Sequence, residues 1–390
     1  MPASRGSAPA APAPPLDRVE RLHATPHRTV YAFAGAGSLA LAWLHAVGGS
    51  SRTILEAHDH YHPRSLAEAL GGEPAQAVAP EVAARLAERA RGRAAHLVDA
   101  DPRPGPVFGL GLTATIATDH TKRGSHRVAV AAADGLGTRT VSIGLAKGAR
   151  ERAGEEAMAG AWLLHLAAEA SGLLGWAEPE LRGDETRTDA FVPADAFAAF
   201  LDDPGTVLTI DEAGRPGPAP GDPVALVSGS FHPLHEGHLR LAEEAEAHLG
   251  LPALFEMALE NADKDPMPPV EAQRRAAQAY GLRGMVLSHA PLFADKAERM
   301  PGCVFVIGVD TARRVLEPRF YGEAGLRDGL ARVRAAGGRF LVAGRAGEDG
   351  FRTIDDLAIP AEFAELFEPL PSFRMDVSST ELRAGWPETE

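Results

Sequence analysis

The chain has 390 residues, of which 45% are hydrophobic, and a formal net charge of −14 at pH 7. It is longer than an ordinary single domain and apolar enough to bury more than one core, so we expect two domains. The acidic excess argues against general binding to nucleic acid or to an anionic membrane surface.

Residues 1–23 begin with an Ala/Pro-rich segment that lacks the apolar core of a signal sequence. We predict that these residues form a disordered tail. No apolar run approaches the length needed to span a membrane. Cys303 is the only cysteine, so no disulfide can form within the chain. These features together lead us to expect a cytoplasmic location.

Residues 24–205 are predicted to form an α/β domain in which strands and helices alternate around glycine turns. Asp134-Gly135-Leu136-Gly137 lies between two strand-like runs and predicts a hairpin. The segments, in chain order, are a strand over Thr29–Phe33, a helix over Ser38–Ala46, the hairpin strands Val128–Ala133 and Arg139–Gly144, and an alanine-rich helix from about Arg150 to Ala170.

The turn Gly35-Ala36-Gly37-Ser38, the run Val47–Thr53 and Tyr61 together resemble the CinA C-terminal family of nicotinamide-nucleotide amidases. That family carries E-S-C-T-G-G at this turn, and the resemblance places Ala34 where its serine nucleophile stands and Leu66 where its lysine stands. A serine nucleophile requires a base within hydrogen-bond reach. The resemblance therefore implies a domain without amidase activity. Its remaining role is open, and one candidate is a nucleotide held by free N–H groups at Gly35–Ser38.

His58, His60 and His62 alternate along a possible strand, which would place three imidazoles on one face. Such a face could bind zinc or another transition metal, but the sequence offers no obvious carboxylate partner. We assign no metal site to the protein and leave this one open.

The Pro/Gly-rich segment from Gly214 to Gly221 indicates a boundary, and we interpret residues 206–221 as a linker to a second domain over residues 222–390. That domain opens with the strand Val224–Val227, a glycine turn and an amphipathic helix that Gly250 ends. His235 and His238 therefore lie at a helix N-terminus, where the helix dipole favours phosphate.

The run from Gly229 to His238 reads G-S-F-H-P-L-H-E-G-H, and Val377 to Arg383 reads V-S-S-T-E-L-R. These two motifs, in this order, resemble the nucleotidylyltransferase superfamily, which includes the mononucleotide adenylyltransferases and the cytidylyltransferases. The superfamily usually has Asp or Asn where this chain has His232. That difference puts in doubt any polar contact that the usual side chain makes.

The resemblance implies a doubly wound parallel sheet of the Rossmann-like type, with further strands at Ala253–Leu259, Met285–Leu287, Val304–Ile307 and Arg339–Val342. Ligands in such a sheet bind beyond the carboxyl ends of the strands, and this rule also singles out Gly344-Arg345 after the last strand. A ligand contact and a solvated loop residue both stay open for Arg345, and the second is preferred. The implied catalytic residues are His235, His238 and Arg383. The implied nucleotide-binding residues are Gly229, Ser230, Phe231, Gly237, Gly308, Asp310, Ser378, Ser379 and Thr380, and the implied acceptor-binding residues are Asn261 and Lys264.

The implied reaction moves a nucleotidyl group from a nucleoside triphosphate, ATP in preference to CTP, to a phosphorylated small molecule, with Mg²⁺ on the phosphates and release of pyrophosphate. The neighbouring amidase-like domain favours nicotinate or nicotinamide mononucleotide as the acceptor and hence NAD metabolism. Cytidylyl transfer to another acceptor and non-catalytic nucleotide binding stay open as alternatives. We also expect a homo-oligomer.

Overall fold

The computed structural model describes residues 15–102, 104–120, 123–260, 265–320, 325–347 and 350–375. The chain divides after Ala194 into two compact parts, here called the N-terminal unit and the C-terminal unit. Both are α/β, as predicted. Along these described ranges, no helix is long and apolar enough to cross a membrane.

The N-terminal unit contains one mixed sheet with the strand order β2-β1-β3-β4-β5-β6. β1 pairs in parallel with β2 and β3, whereas β3 to β6 form an antiparallel meander that includes the predicted hairpin. The strands are β1 (Arg28–Ala34), β2 (Ile54–Asp59), β3 (Val107–Thr115), β4 (His126–Ala133), β5 (Gly137–Leu145) and β6 (Thr186–Pro193). The helices are α1 (Leu16–His23), α2 (Ser38–Ala46), α3 (Ser50–Thr53), α4 (Pro63–Leu70), α5 (Pro80–Val98) and α6 (Arg152–Ala170).

Helices cover both faces of this sheet because β1 is apolar on both sides. Tyr31 and Phe33 pack into a core with α2 and α6, while Val30 and Ala32 pack against α4 and α5. Gly111 in β3 permits α5 to approach, since a Cβ atom there would lie 2.1 Å from the carbonyl oxygen of Ala83.

The predicted tail over residues 1–23 needs correction at its end, because Leu16–His23 is the helix α1. Val19 and Leu22 are buried in the core of the N-terminal unit, so these residues are part of the folded domain. The prediction from the Ala/Pro-rich composition overlooked the short amphipathic helix that begins directly after Pro15.

The C-terminal unit contains a nine-stranded sheet with the order β14-β13-β12-β9-β10-β11-β7-β8, and β15 pairs with β13. Five neighbouring strands, β13-β12-β9-β10-β11, are parallel, as the predicted doubly wound fold requires. The strands are β7 (Val207–Ile210), β8 (Pro216–Gly217), β9 (Ala225–Ser228), β10 (Ala253–Ala258), β11 (Met285–Ser288), β12 (Val304–Gly308), β13 (Arg339–Gly347), β14 (Gly350–Arg352) and β15 (Phe367–Met375). The helices are α7 (Asp195–Asp202), α8 (Glu236–Leu249), α9 (Pro269–Ala277), α10 (Phe293–Arg299), α11 (Val309–Val315) and α12 (Gly325–Ala335), with 3-10 turns at Pro318–Phe320, Ile354–Asp356 and Ala361–Leu366.

The linker predicted over residues 206–221 is instead largely structured. β7 pairs antiparallel with β11, and its Leu208 and Ile210 are buried. Gly214 adopts a positive φ of 77° in a turn that leads β7 into β8, so the Pro/Gly-rich composition marks a hairpin. The division between the units lies earlier, and α7 belongs to the C-terminal unit.

Candidate active site

The turn between β9 and α8 is built on a buried phenylalanine. Phe231 has a positive φ of 45°, and its ring packs 4.9 Å from that of Phe255 and 5.0 Å from that of His238, centroid to centroid. Gly229 leaves room for this ring, since a Cβ atom there would lie 3.0 Å from it. The Phe231 side chain is fully buried, so its part in the predicted nucleotide site is to support His238 by packing.

His235 and His238 lie together at the start of α8. Their rings stack with centroids 3.8 Å apart. The backbone N–H of His235 donates to Nδ1 of His238 at 3.2 Å, so a neutral His238 carries its proton on Nε2. Burial, followed by the charge of His235, lowers the pKa of His238 to about 3. Burial, followed by the charge of Arg345, also lowers the pKa of His235. Near neutral pH the pair therefore consists of uncharged hydrogen-bond donors.

Helix α9 fixes the loop that precedes these histidines. The Gln278 side chain accepts from the backbone N–H of Leu234 at 2.8 Å and donates to the carbonyl oxygen of Phe231 at 2.8 Å. Arg275 donates to the carbonyl oxygen of Ser230 at 3.1 Å. The sequence reading missed both side chains, although Glu271, Arg275 and Gln278 recur at the spacing of one helix face.

His232, where the superfamily usually has Asp or Asn, contacts the same helix. Its Nδ1 lies 3.2 Å from Oε1 of Glu271, which also accepts from Arg275 at 2.7 Å. Burial raises the pKa of Glu271, but hydrogen bonds from His232 and Arg275 outweigh this and lower it to about 2. An ionised Glu271 thus ties His232 to α9, so His232 makes a polar contact of its own in this turn.

Two charged residues lie at the carboxyl ends of the neighbouring strands. Asp310 is in the first turn of α11, directly after β12, and Arg345 of β13 donates to its Oδ2 at 2.9 Å. Arg352 of β14 lies 4.0 Å from Oδ1 of the same carboxylate. Arg345 is therefore a strand residue that is ion-paired with Asp310, and not a simple solvated loop residue, which was the preferred of the two interpretations. Its position at the carboxyl end of a parallel strand had singled it out in the sequence, but the pairing with Asp310 had not been predicted.

The other predicted residues fall into two groups. Gly237 is in the first turn of α8, Gly308 precedes α11, and Ser230 is exposed next to Phe231. The remaining predicted residues lie outside the described part of the chain; they are Asn261, Lys264, Ser378, Ser379, Thr380 and Arg383.

The carboxyl ends of β10 and β11 hold a further pair on the side where the acceptor residues were predicted. Nε2 of His289 donates to the carbonyl oxygen of Phe200 in α7 at 3.0 Å. Nδ1 of His289 lies 3.4 Å from Oε1 of Glu260. Helix α7 thereby holds a histidine at this edge of the sheet.

The N-terminal unit has a cavity of about 620 Å³ at the carboxyl ends of β1 and β3. Ala34 and Leu66, which the sequence resemblance places at the positions of the amidase nucleophile and lysine, both line it. Its other lining residues include Gly35, His60, Tyr61, His62, Arg64, Glu73 and Ala114. The two positions on which the amidase reading rests thus meet in one cavity, and neither carries a reactive group.

The start of α2 is closed by a carboxylate from α6. Oε1 of Glu156 accepts from the backbone N–H of Gly37 at 2.8 Å, from Oγ of Ser38 at 3.0 Å and from the backbone N–H of Leu39 at 3.1 Å. The prediction that free N–H groups at Gly35–Ser38 could hold a nucleotide is therefore wrong, since Glu156 already occupies that anion site.

The three alternating histidines serve different local roles. His58 contacts Glu56 at 2.9 Å, His60 contacts Ser65 at 3.0 Å, and Nδ1 of His62 accepts the backbone N–H of Arg64 at 3.2 Å. Within the described residues there is no group of three or more His, Cys, Asp or Glu side chains that could hold a metal ion.

The C-terminal unit has relatives among known proteins. Residues 226–385 match the cytidylyltransferase-like family. The chain is 30% identical over 194 residues to a probable nicotinate-nucleotide adenylyltransferase of Gloeobacter violaceus, covering 43% of this chain and 88% of that protein. It is 44% identical over 54 residues to the protein with the same description from Dechloromonas aromatica, a match that spans 14% of this chain and 25% of that one.

Solved structures of CinA-type proteins are also similar to part of the chain. The competence/damage inducible protein CihA from Agrobacterium tumefaciens aligns with a TM-score of 0.32 and 16% identity, covering 40% of this chain and 95% of that one. A CinA superfamily protein from Escherichia coli aligns with a TM-score of 0.30 and 18% identity, covering 38% of this chain and 82% of that one.

The family of the chain follows from the two sequence matches described above. The match of residues 226–385 and the long match to the Gloeobacter protein establish that this chain belongs, through its C-terminal unit, to the cytidylyltransferase-like family of nucleotidyltransferases.

Proposed function

We propose that the C-terminal unit transfers AMP from ATP to nicotinate mononucleotide, or to a closely related phosphorylated acceptor, and releases pyrophosphate. The observation that carries this proposal is the stacked pair His235 and His238 at the N-terminus of α8, at the carboxyl edge of a parallel sheet. The relative that matches over most of its length, described as a probable nicotinate-nucleotide adenylyltransferase, supports the acceptor.

The chemistry requires positioning and charge neutralisation. An oxygen of the acceptor's phosphate forms a bond to the α-phosphorus of ATP, while the bond from that phosphorus to the bridging oxygen breaks and its electron pair leaves with pyrophosphate. No covalent intermediate on the protein is needed. The Nε2–H group of His238 is suited to donate to an α-phosphate oxygen as negative charge develops, and a neutral imidazole keeps this donor over a wide pH range.

The remaining predicted residues complete this proposal. Gly229, Ser230, Gly237, Gly308 and Asp310 would border the nucleotide. Ser378, Ser379, Thr380 and Arg383 would contact its β and γ phosphates, and Asn261 and Lys264 would bind the acceptor's phosphate. Mg²⁺ would enter with ATP and would neutralise part of the phosphate charge, which lowers the cost of separating pyrophosphate.

Cytidylyl transfer is the second candidate, because the family that matches residues 226–385 is described as cytidylyltransferase-like. Histidines that contact phosphates do not read the base, so they do not separate ATP from CTP. A non-catalytic nucleotide-binding protein is less well supported, since both histidines are retained.

The test is a pyrophosphate-release screen of the full-length protein with Mg²⁺. ATP and CTP are each combined with nicotinate mononucleotide, nicotinamide mononucleotide and phosphocholine. We expect pyrophosphate and a dinucleotide in equal amounts from ATP with nicotinate mononucleotide. Product from CTP alone would favour the second candidate. Failure to bind either triphosphate in calorimetry would contradict both.

A further inference from the structure

Asp310 lies between two arginines at the carboxyl edge of the C-terminal sheet. Arg345 is 2.9 Å and Arg352 is 4.0 Å from its two carboxylate oxygens. The side chains of Arg345 and Asp310 are 38% and 45% exposed, so a ligand can reach them. An ion pair this exposed contributes little to stability, about 1 kcal/mol or less. Stability alone therefore gives little reason to hold two guanidinium groups here.

The strand order shows which side of the site this cluster occupies. β9 lies between β12 and β10, and the chain leaves β9 towards β10 first. In a doubly wound sheet a ligand binds in the crevice where the strand order reverses, which here is the crevice between β9 and β12. Asp310 follows β12, and Arg345 lies on the next strand outwards. The predicted acceptor residues follow β10, so Arg345 borders the crevice on the opposite side.

The charge of Arg345 also acts on the histidine pair, since it is the second cause, after burial, of the lowered pKa of His235. An arginine is well matched to a polyphosphate, since its planar fork can donate two parallel hydrogen bonds to phosphate oxygens. A chain with a net charge of −14 needs local cations to attract a tetra-anionic ligand.

We propose that Arg345 contacts the β and γ phosphates of the nucleoside triphosphate, the part that leaves as pyrophosphate, and that Asp310 is a positioning residue that holds its guanidinium at the crevice. This inference rests on the proposed function. As the bond between the α-phosphorus and the bridging oxygen breaks, the electron pair moves onto pyrophosphate, and Arg345 neutralises part of that charge. Asp310 then acts through Arg345 and does not need to contact the nucleotide.

The experiment compares binding of ATP, AMP and pyrophosphate to the full-length protein by calorimetry, with steady-state turnover in parallel. The variants are Arg345→Gln, Arg345→Lys and Asp310→Asn. The matched control is Arg332→Gln, because Arg332 is similarly exposed at 36% and is ion-paired with Asp295 and Glu298. Thermal unfolding midpoints check that each variant is folded.

We expect Arg345→Gln to weaken pyrophosphate and ATP binding by about 10-fold or more, the scale for losing a hydrogen bond between charged groups. AMP binding and the KM of the acceptor should change by less than about 3-fold, since neither contact involves the lost group. Arg345→Lys should recover part of the loss, Asp310→Asn should give a smaller effect in the same direction, and Arg332→Gln should give none.

Two results would overturn the proposal. Equal weakening of AMP and pyrophosphate by Arg345→Gln would mean that the substitution disturbs the site in general. Unchanged pyrophosphate binding would mean that Arg345 does not contact these phosphates, and in an active wild-type protein this failure would leave the proposed function intact. A wild-type protein that binds no ATP and releases no pyrophosphate would overturn both.

Discussion

In both units the parallel strands have their carboxyl ends at a sheet edge of the kind where α/β proteins bind ligands. The side chains at the two edges differ. In the C-terminal unit the edge carries His235, His238 and the Asp310 and Arg345 pair. In the N-terminal unit the corresponding edge forms a cavity of about 620 Å³ whose lining includes Ala34 and Leu66, neither of which has a reactive group. The comparison shows that the fold positions a site, whereas a few side chains determine whether it can react.

The helix that begins at each edge differs in the same way. α8 starts with two stacked imidazoles, and the hydrogen bond from the backbone N–H of His235 to Nδ1 of His238 leaves Nε2–H of His238 as its donor. The first N–H groups of α2 are bonded to Glu156. A phosphate at the start of α2 would have to displace an internal carboxylate and would leave that charge without its partners. We therefore infer that both helix N-termini favour an anion and that the one at α2 is already occupied by Glu156.

Removing α7 and β7 from the C-terminal unit should produce the largest effect. A segment over residues 195–390 retains α7 and β7, whereas one over residues 222–390 loses the buried Phe197, Phe200, Leu208 and Ile210. Each buried apolar side chain contributes about 1.5–3 kcal/mol, so the loss approaches the stability of a whole domain, about 5–15 kcal/mol. We expect the longer segment to fold and the shorter one to be unfolded or to unfold at much lower urea concentration, as followed by circular dichroism. Equal urea midpoints would show that α7 and β7 are dispensable.

Within the C-terminal unit, His238→Ala should lower turnover by about 10²-fold or more, the usual scale for losing a transition-state donor. The Kd for the triphosphate should change much less, because the donor is used most as charge develops. His248→Ala is the matched control, since His248 lies on the same helix and pairs with Glu368 at 2.7 Å. Equal losses in binding and turnover would mean that His238 holds only the ground state.

The His232 and Glu271 contact predicts a pH-dependent stability. The pKa of Glu271 is about 2, below its ordinary 4.5, so its ionised form stabilises the folded state fully above pH 4.5. Glu271→Gln should lower the free energy of unfolding at pH 7. The difference from wild type should shrink as pH falls from 4.5 towards 2, where wild type also protonates. Urea unfolding at a series of pH values measures this, and a difference independent of pH would refute the role of the charge.

A matched substitution in the N-terminal unit sharpens the same comparison. Glu56 also has its pKa lowered to about 2, chiefly by its hydrogen bond from Arg93. Glu56→Gln should leave nucleotidyl transfer unchanged, whereas Glu271→Gln should reduce it, because Glu271 supports the loop before His235. Steady-state turnover of the two variants shows whether Glu271 acts by supporting the loop before His235 or only through the stability of the protein.

The smallest expected effect is in the N-terminal cavity. We expect the full-length protein to release no ammonia from nicotinamide mononucleotide, since Ala34 has no nucleophilic atom and Leu66 cannot act as a base. The double variant Tyr61→Phe, Arg64→Ala should give the same null result. Ammonia release that this variant abolishes would reveal a rearranged amidase site in the cavity.

The sequence predicted what depends on local patterns and missed what depends on distant partners. The strand before Gly229 and the helix after His235 followed from periodicity and glycine punctuation, and the structure confirms both. The role of Arg345 depends on Asp310, 35 residues earlier, and the closure of α2 depends on Glu156, 119 residues beyond Gly37. Neither partner can be identified without the tertiary structure. The domain boundaries predicted from composition were wrong, because segments rich in proline and glycine occur in hairpins as well as in linkers.

The most direct test of the difference between the units compares transfer by the full-length protein with transfer by residues 195–390. Pyrophosphate release is measured from ATP and nicotinate mononucleotide with Mg²⁺, together with ATP binding by calorimetry. We predict turnover of the shorter segment within about 3-fold of the full-length protein, because the proposed chemistry uses only side chains of the C-terminal unit. A folded segment that binds no triphosphate and releases no pyrophosphate would contradict that assignment.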